Sequence, residues 1–226
     1  MSDIDYYIPY WGPFVIETDI TQEFVELLLE KGNESREKNL DHRKNLAGDI
    51  ENEYYYQDFH EWFMPEMSPY IRAYLDGVKT YRTTKGSLKD GPDWANISGW
   101  KCNDMWINFQ KAKEYNPPHN HAADLSFVIY LDVPEQIEKE CQEQLMMRAN
   151  AGPGMIVFDY GLELPFSNSR HCKMPKTGDI MIFPAWLPHH VYAFKSDVER
   201  ISVSGNIDLQ TEINMMSEMT AVPADL

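Results

Sequence analysis

Two segments of the chain carry histidines at the spacing expected of metal ligands. His119 and His121 stand two residues apart just before the apolar run 125–133, and His189 follows a second apolar run. Residues i and i+2 of a β-strand project to the same side, so one metal ion can be reached by both imidazoles of the pair. A third histidine from a distant strand would complete one face of an octahedron. The open positions would then take a co-substrate and oxygen, as in non-haem iron chemistry.

Asp124 is the nearest carboxylate and an alternative ligand, in combination with His189 and either histidine of the pair. We prefer the two histidines, because residues i and i+3 of a strand do not share a face. The choice matters chemically, since three neutral imidazoles leave an Fe(II) site one unit more positive than two imidazoles and a carboxylate. His190 should point away from His189, so only one of them can bind metal. The blander interpretation, histidines with structural roles only, suits His42, His60 and His171.

A second polar feature lies on the last strand-like segment. Arg200, Ser202, Ser204 and Asn206 alternate with apolar residues and therefore share one face. Such a face can be the solvated side of a sheet. An arginine beside small hydroxyl residues also leaves room for a carboxylate, which a guanidinium can bind through two parallel hydrogen bonds.

The first third of the chain is expected to form helices that support a sheet, over about 19–81. Asp19 with Gln22 suggests a helix start, and Gly32 suggests its end. The polar stretch 33–52 reads as a long loop. A second helical region is expected over 57–81, with a fresh start at Ser68-Pro69.

From Lys101 onward the sequence consists of short strands and turns. The first strand of the chain is expected near 8–16, and the candidates in this second part lie near 105–110, 125–133, 144–149, 155–160, 179–183, 190–194 and 200–207. Consecutive strands without intervening helices predict an antiparallel sandwich or barrel with the helices packed outside it. We therefore expect a mainly β fold with flanking helices, forming one domain over 1–208 with its catalytic core at about 101–208. The tail 209–226 should be partly ordered.

Composition restricts the partners. With 36 acidic and 20 basic residues the formal net charge is −16, so duplex nucleic acid and anionic membranes are poor partners. The three cysteines lack a CxxC spacing and read as reduced thiols. The N-terminus has no signal-peptide pattern and no run is long enough to span a bilayer, so we expect a cytoplasmic protein.

The motifs His119-Asn-His121 with 125–131, Gly178 to His189, and Arg200 to Asn206 resemble those of the 2-oxoglutarate- and Fe(II)-dependent oxygenases. The resemblance covers 106–206, about half of the chain. It extends most closely to oxygenases of marine bacteria and their phages, with prolyl-hydroxylase-like features, and more weakly to 45–48 with Glu53-Tyr54. A bacterium or phage-infected cell is thus the expected setting.

The resemblance implies a double-stranded β-helix, a distorted, cupin-like jelly roll with iron at one open end. It makes His119, His121 and His189 the ligands of Fe(II), although most of that superfamily has an acidic residue at the position of His121. It makes Arg200 the partner of the distal carboxylate of 2-oxoglutarate, with Tyr130 donating to the same group. Ser202 and Asn108 are further candidate contacts of the co-substrate.

The function implied is a hydroxylation that consumes O2 and 2-oxoglutarate. The second substrate, a protein side chain or a small molecule, is not identified by the sequence, and a homodimer is compatible with it. The alternatives are a cupin-like metal protein or dioxygenase that does not use 2-oxoglutarate, and an interaction protein whose histidines are incidental.

Overall fold

A computed structural model describes residues 12–85, 97–145 and 151–211. Its β-strands form two antiparallel sheets that pack face to face. The larger sheet has the strand order β1 (Ile16–Asp19), β8 (Asp179–Pro184), β5 (Leu125–Asp132), β10 (Arg200–Thr211), β3 (Ile97–Gln110) and β2 (Glu53–Tyr55). The smaller sheet has the order β4 (Asn116–His119), β9 (His189–Val191), β6 (Ile156–Asp159) and β7 (Arg170–Lys173).

The larger sheet is covered on both faces. Helices α1 (Gln22–Glu37) and α2 (His60–Lys85) pack on its outer face and form a core with the alternate residues Phe127, Ile129 and Leu131 of β5. The intervening residues Val128 and Tyr130 belong to a second core shared with the smaller sheet. Seven consecutive residues of β5 are therefore buried, as the unbroken apolar run predicted. The same alternation directs every second residue of a central strand into the space between the sheets.

Helix α1 differs from its prediction at both ends. Thr21 caps the helix by accepting a hydrogen bond from the Phe24 amide at 3.3 Å, whereas Asp19 is the last residue of β1. The helix also continues through Gly32 to Glu37. The glycine at this position does not end the helix but lies against Ile107 and Tyr56, where a Cβ atom would collide. The expected loop therefore starts later than residue 33, and it contains a short 3-10 helix, Arg43–Asn45.

Helix α2 is continuous from His60 to Lys85, so the predicted fresh start at Ser68-Pro69 is wrong. The hydroxyl of Ser68 instead donates to the Met64 carbonyl at 2.8 Å inside the helix. No helix in the described parts of the chain is both long and apolar enough to span a membrane.

The strand predicted at 144–149 is wrong at its start, where helix α3 (Glu135–Leu145) ends; residues 146–149 lie outside the described ranges. The helix was missed because, of its residues 135–144, only Ile137 and Cys141 are buried, too short an apolar stripe to show a period. Strands β2, β4 and β7 were also absent from the strand candidates, because none of them has an alternating apolar pattern. Of the strand expected near 8–16, residues 12–15 are not in a strand, β1 begins at Ile16, and 8–11 lie outside the described ranges. Strand β10 continues into the expected tail as far as Thr211, and the rest of the tail, 212–226, also lies outside them.

Candidate active site

Three histidines meet between the sheets. His119 and His189 are direct cross-strand partners on β4 and β9, and His121 follows β4 by two residues. One nitrogen of each imidazole lies within 4.8 Å of the corresponding atoms of the other two. The ring centroids are 4.3 Å apart for His119 and His189 and 5.0 Å apart for His119 and His121. Such a cluster of nitrogen donors fits one transition-metal ion.

The same local motif orients two of these rings. Nδ1 of His119 lies 2.7 Å from the Pro117 carbonyl, and Nδ1 of His189 lies 2.9 Å from the Leu187 carbonyl. In both cases a proline, Pro118 or Pro188, separates the histidine from the acceptor and fixes the local backbone angle. Nδ1 must carry the proton to donate to a carbonyl, so Nε2 keeps its lone pair. This arrangement selects the tautomer that a metal requires.

Burial keeps two of the three rings, those of His121 and His189, neutral. It is the main cause that lowers the pKa of His121 to about 4 and of His189 to about 3, and the neighbouring His119 contributes in the same direction. His189 is only 6% exposed. Both rings are therefore uncharged at neutral pH, so neither proton nor charge has to be removed from them before a metal binds.

Asp124 and His190 lie apart from this cluster. The Asp124 carboxylate accepts a hydrogen bond from the Leu209 amide at 2.8 Å, and its side chain is not among the clustered donors. His190 Nδ1 lies 3.3 Å from an Asp159 carboxylate oxygen. Of the ligand sets considered from the sequence, the structure therefore brings together His119, His121 and His189 and leaves out Asp124.

Arg200 lies in the same cavity and has no acidic partner within the described residues. Its guanidinium, 2% exposed, donates to the Gly154 carbonyl at 2.7 Å and to the Gln110 side-chain oxygen, while Nε has no hydrogen-bond partner there. A buried cation with only neutral partners is unfavourable unless an anion joins it. The site is therefore suited to a carboxylate.

Tyr130 supports the same conclusion. Its hydroxyl is buried without a hydrogen-bond partner in the described residues, and its ring lies 5.3 Å from the Arg200 guanidinium carbon. Ser202 is the cross-strand neighbour of both Tyr130 and Asn108, and Asn108 Oδ1 is likewise buried and unpartnered among these residues. All four predicted co-substrate residues line the histidine cavity. Their roles in binding stay predictions.

Glu53 is a pocket residue that the sequence did not single out for chemistry. Strand β2 pairs with β3 so that Glu53 lies opposite Asn108, which lies opposite Ser202, which lies opposite Tyr130. These four residues form one transverse row on the inner face of the larger sheet. Glu53 is 1% exposed, and both of its carboxyl oxygens lack a hydrogen-bond partner within the described residues. Only the pairing of β2 with a strand far along the chain brings this residue inside.

The cavity fits both groups that the sequence implied. Three neutral imidazoles can hold Fe(II), and the unpaired donors of Arg200 and Tyr130 can hold the distal carboxylate of 2-oxoglutarate. The cavity volume is about 160 Å³. That volume is close to an engineered cavity of about 150 Å³ that admits benzene, so a compact co-substrate can enter.

Residues 104–206 match the family model described as "Putative 2OG-Fe(II) oxygenase". This segment is slightly less than half of the chain and includes the three histidines, Tyr130 and Arg200. No curated protein sequence is significantly similar to the chain.

Solved structures show where this fold occurs. The carbocyclase SnoK of nogalamycin biosynthesis, which is non-haem and α-ketoglutarate-dependent, aligns with a TM-score of 0.54 at 13% identity, over 90% of this chain and 85% of its own. A Pseudomonas putida prolyl-4-hydroxylase aligns with a TM-score of 0.50 at 12% identity, over 87% and 92%. A Trichoplax adhaerens prolyl hydroxylase, solved with a hypoxia inducible factor peptide, aligns with a TM-score of 0.50 at 12% identity, over 91% of this chain and 87% of its own. The predicted distorted jelly roll is confirmed.

Proposed function

Because residues 104–206 carry the domain of the 2OG-Fe(II) oxygenases, we propose that this protein is a 2-oxoglutarate- and Fe(II)-dependent dioxygenase. It hydroxylates a C–H bond of a protein side chain or a small molecule and releases succinate and CO2. One observation carries the proposal: the histidine cluster and the unpaired, buried donors of Arg200 and Tyr130 line the same cavity.

The bound iron would supply the oxidative chemistry, and the protein would supply binding, orientation and exclusion of water. His119, His121 and His189 hold the metal from one side. Arg200 and Tyr130 would bind the distal carboxylate of the co-substrate, which would leave its keto acid end for the metal held by the histidines. The buried walls at Val128, Ile156 and Phe183 exclude water from the space between these two groups.

The structural relatives support both substrate classes. Two of them are prolyl hydroxylases, one solved with a peptide, and the third is a carbocyclase from nogalamycin biosynthesis. A protein side chain and a small molecule therefore both remain candidates for the second substrate of this chain.

The first test is spectroscopic. Anaerobic protein loaded with Fe(II) should develop a weak visible charge-transfer band when 2-oxoglutarate is added. Arg200→Ala should weaken 2-oxoglutarate binding at least tenfold, because a charge-assisted hydrogen bond contributes about 1.5–3 kcal/mol. Arg72→Ala, an exposed arginine of α2 outside the cavity, is the matched control and should bind like the wild type.

Two results would count against the proposal. One is folded, iron-loaded wild-type protein that shows no band with 2-oxoglutarate. The other is oxygen consumption without succinate in the presence of Fe(II), ascorbate and 2-oxoglutarate. The second result would favour a metal-dependent dioxygenase that does not use this co-substrate.

A further inference from the structure

Among the ionisable side chains that line the cavity in the described parts of the chain, Glu53 is the one for which neither a protein group, the metal nor the co-substrate provides a partner. It is 1% exposed, and its two carboxyl oxygens lack hydrogen-bond partners within the described residues. A buried polar group without a partner costs free energy, so it is usually retained where a ligand completes it. Arg200 and Tyr130 have the same property, and the co-substrate accounts for them.

The position of Glu53 separates it from the co-substrate. It stands at the β2 end of the transverse row, whereas Tyr130 stands at the β5 end, with β3 and β10 between them. Three strand spacings of about 4.8 Å place these two backbones about 14 Å apart. Glu53 and Tyr130 can therefore contact different molecules in one cavity.

The loop before β2 closes over Glu53. Asn45, Leu46 and Ala47 line the cavity beside it, and a Cβ atom at Gly48 would lie 3.3 Å from a Glu53 carboxyl oxygen. Asn116 also approaches this glycine and lines the same end of the cavity. Gly48, Asn116 and the cross-strand partner Asn108 therefore adjoin this carboxyl group, and Arg200 is the only lysine or arginine among the described residues that line the cavity.

The charges of the cavity favour a cationic ligand here. Apart from the histidines, the ionisable residues that line it among those described are Arg200, Glu53 and Asp104. Arg200 is complementary to the co-substrate, and Asp104 lies 3.2 Å from His42 Nε2. Glu53 is left as an acidic group in a protein of net charge −16, which attracts cations and repels anions.

We infer that Glu53 is the recognition group for the second substrate, and that this substrate presents a protonated amine or a guanidinium to the β2 end of the cavity. The inference rests on the proposed function, since it assigns the other end to 2-oxoglutarate. The source of the nitrogen is either a basic side chain of a peptide or a free basic amino acid.

The binding step also moves a proton. Burial, followed by the charge of Glu114, raises the pKa of Glu53 to about 8, so the free carboxyl is mostly protonated near pH 7. An incoming cation favours the carboxylate, and the proton leaves to solvent while the O–H bond is replaced by an ion pair. Binding should therefore release close to one proton, which a purely structural Glu53 would not do.

The test uses matched ligands on full-length, metal-loaded protein with 2-oxoglutarate under anaerobic conditions. Blocked tripeptides with a central lysine or arginine are compared with those containing norleucine or citrulline, and free lysine and arginine form a second arm. Calorimetry in buffers of different ionisation enthalpy measures affinity and proton release together. At least one cationic ligand should bind the wild type about tenfold or more tightly than its neutral analogue.

Glu53→Gln should abolish that preference and the proton release, whereas the control Glu51→Gln, an exposed residue nearby, should keep both.

Equal binding of neutral and cationic ligands would overturn the inference. So would a cation preference that survives in folded Glu53→Gln, or the absence of binding by every cationic ligand at millimolar concentration. Citrulline that binds like arginine would identify a neutral N–H donor instead. The visible band of wild-type protein with 2-oxoglutarate tests the proposed function separately.

Discussion

His119 and His189 each have one ring nitrogen left for a metal, because Nδ1 already lies against a backbone carbonyl. The acceptor in each case is the residue before a proline, so the sequence unit X-Pro-His sets both position and tautomer. A ligand held in this way loses little freedom when the metal binds, which favours tight binding.

At this scale we predict that His189→Ala lowers the iron content of anaerobically reconstituted protein well below one ion per chain. The matched control is His190→Ala, the adjacent residue, whose side chain lies by Asp159 and outside the cluster. Metal analysis after gel filtration measures the difference. Equal loss of iron in both folded variants would contradict the assignment of His189.

Part of the histidine site could be predicted from residue spacing, although the argument that both histidines lie on one strand holds only in part. The two-residue spacing did bring His119 and His121 together, but β4 ends at His119 and His121 lies beyond it. The alternation of Arg200, Ser202, Ser204 and Asn206 into the cavity followed directly from the strand period, whereas Tyr130 was expected there only from the family resemblance. Glu53 could not be recognised, because its burial depends on pairing between residues 55 positions apart, Glu53 and Asn108.

Among the elements, α1 packs on the outer core, and at Gly32 it lies directly against Ile107 of β3. The missing side chain of this glycine leaves space for Ile107 and the Tyr56 ring, whose hydroxyl donates to the Leu28 carbonyl at 2.8 Å. The sequence suggested a helix end at this glycine, since glycine is common there. Only the packing of a distant strand shows that the residue serves close contact instead.

Gly32→Ala should therefore destabilise the protein, by about 1–3 kcal/mol of unfolding free energy, because overpacking outweighs the helix propensity of alanine. Urea unfolding followed by circular dichroism measures the change. Asn33→Ala, an exposed position on the next residue of the same helix, should be neutral or slightly stabilising. A more stable Gly32→Ala protein would show that α1 lies farther from β3 than the structure indicates.

For the whole molecule, the buried Glu53 carboxyl links stability to pH. Its pKa is about 8 in the folded protein, raised from 4.5 mainly by burial, then by Glu114 and Asp41, and opposed by Arg43. Between these two values the folded state holds a proton that the unfolded state has lost. Stability therefore decreases as pH rises through that window.

We predict that Glu53→Gln removes most of this contribution, so the variant gains stability relative to wild type as pH rises from about 5 to 8. The gain should reach a few kcal/mol, at about 1.4 kcal/mol per pKa unit. Urea unfolding of the metal-free proteins at several pH values measures it, and the exposed Glu51→Gln is the control. Parallel pH profiles of wild type and Glu53→Gln would contradict the buried, unpaired state of this carboxyl.

The mainly β architecture with helices outside one sheet could be predicted from two features of the sequence. These are the change near Lys101 from helical periodicity to short strand-like segments separated by turns, and the apolar run that forms the buried strand β5. The short strands β2, β4 and β7 could not, because their pairing is determined by contacts distant in sequence.

The pairing of His119 with His189 also gives the metal centre a local symmetry. Antiparallel partners are related by an approximate two-fold axis, and here each partner is the last residue of an X-Pro-His unit. A metal near that axis would see two equivalent imidazoles. His121 breaks the symmetry, because the counterpart two residues after His189 is Val191, an apolar residue that lines the cavity. The position related to His121 by this symmetry therefore holds an apolar side chain and no fourth imidazole, so the three donors lie on one side of the axis.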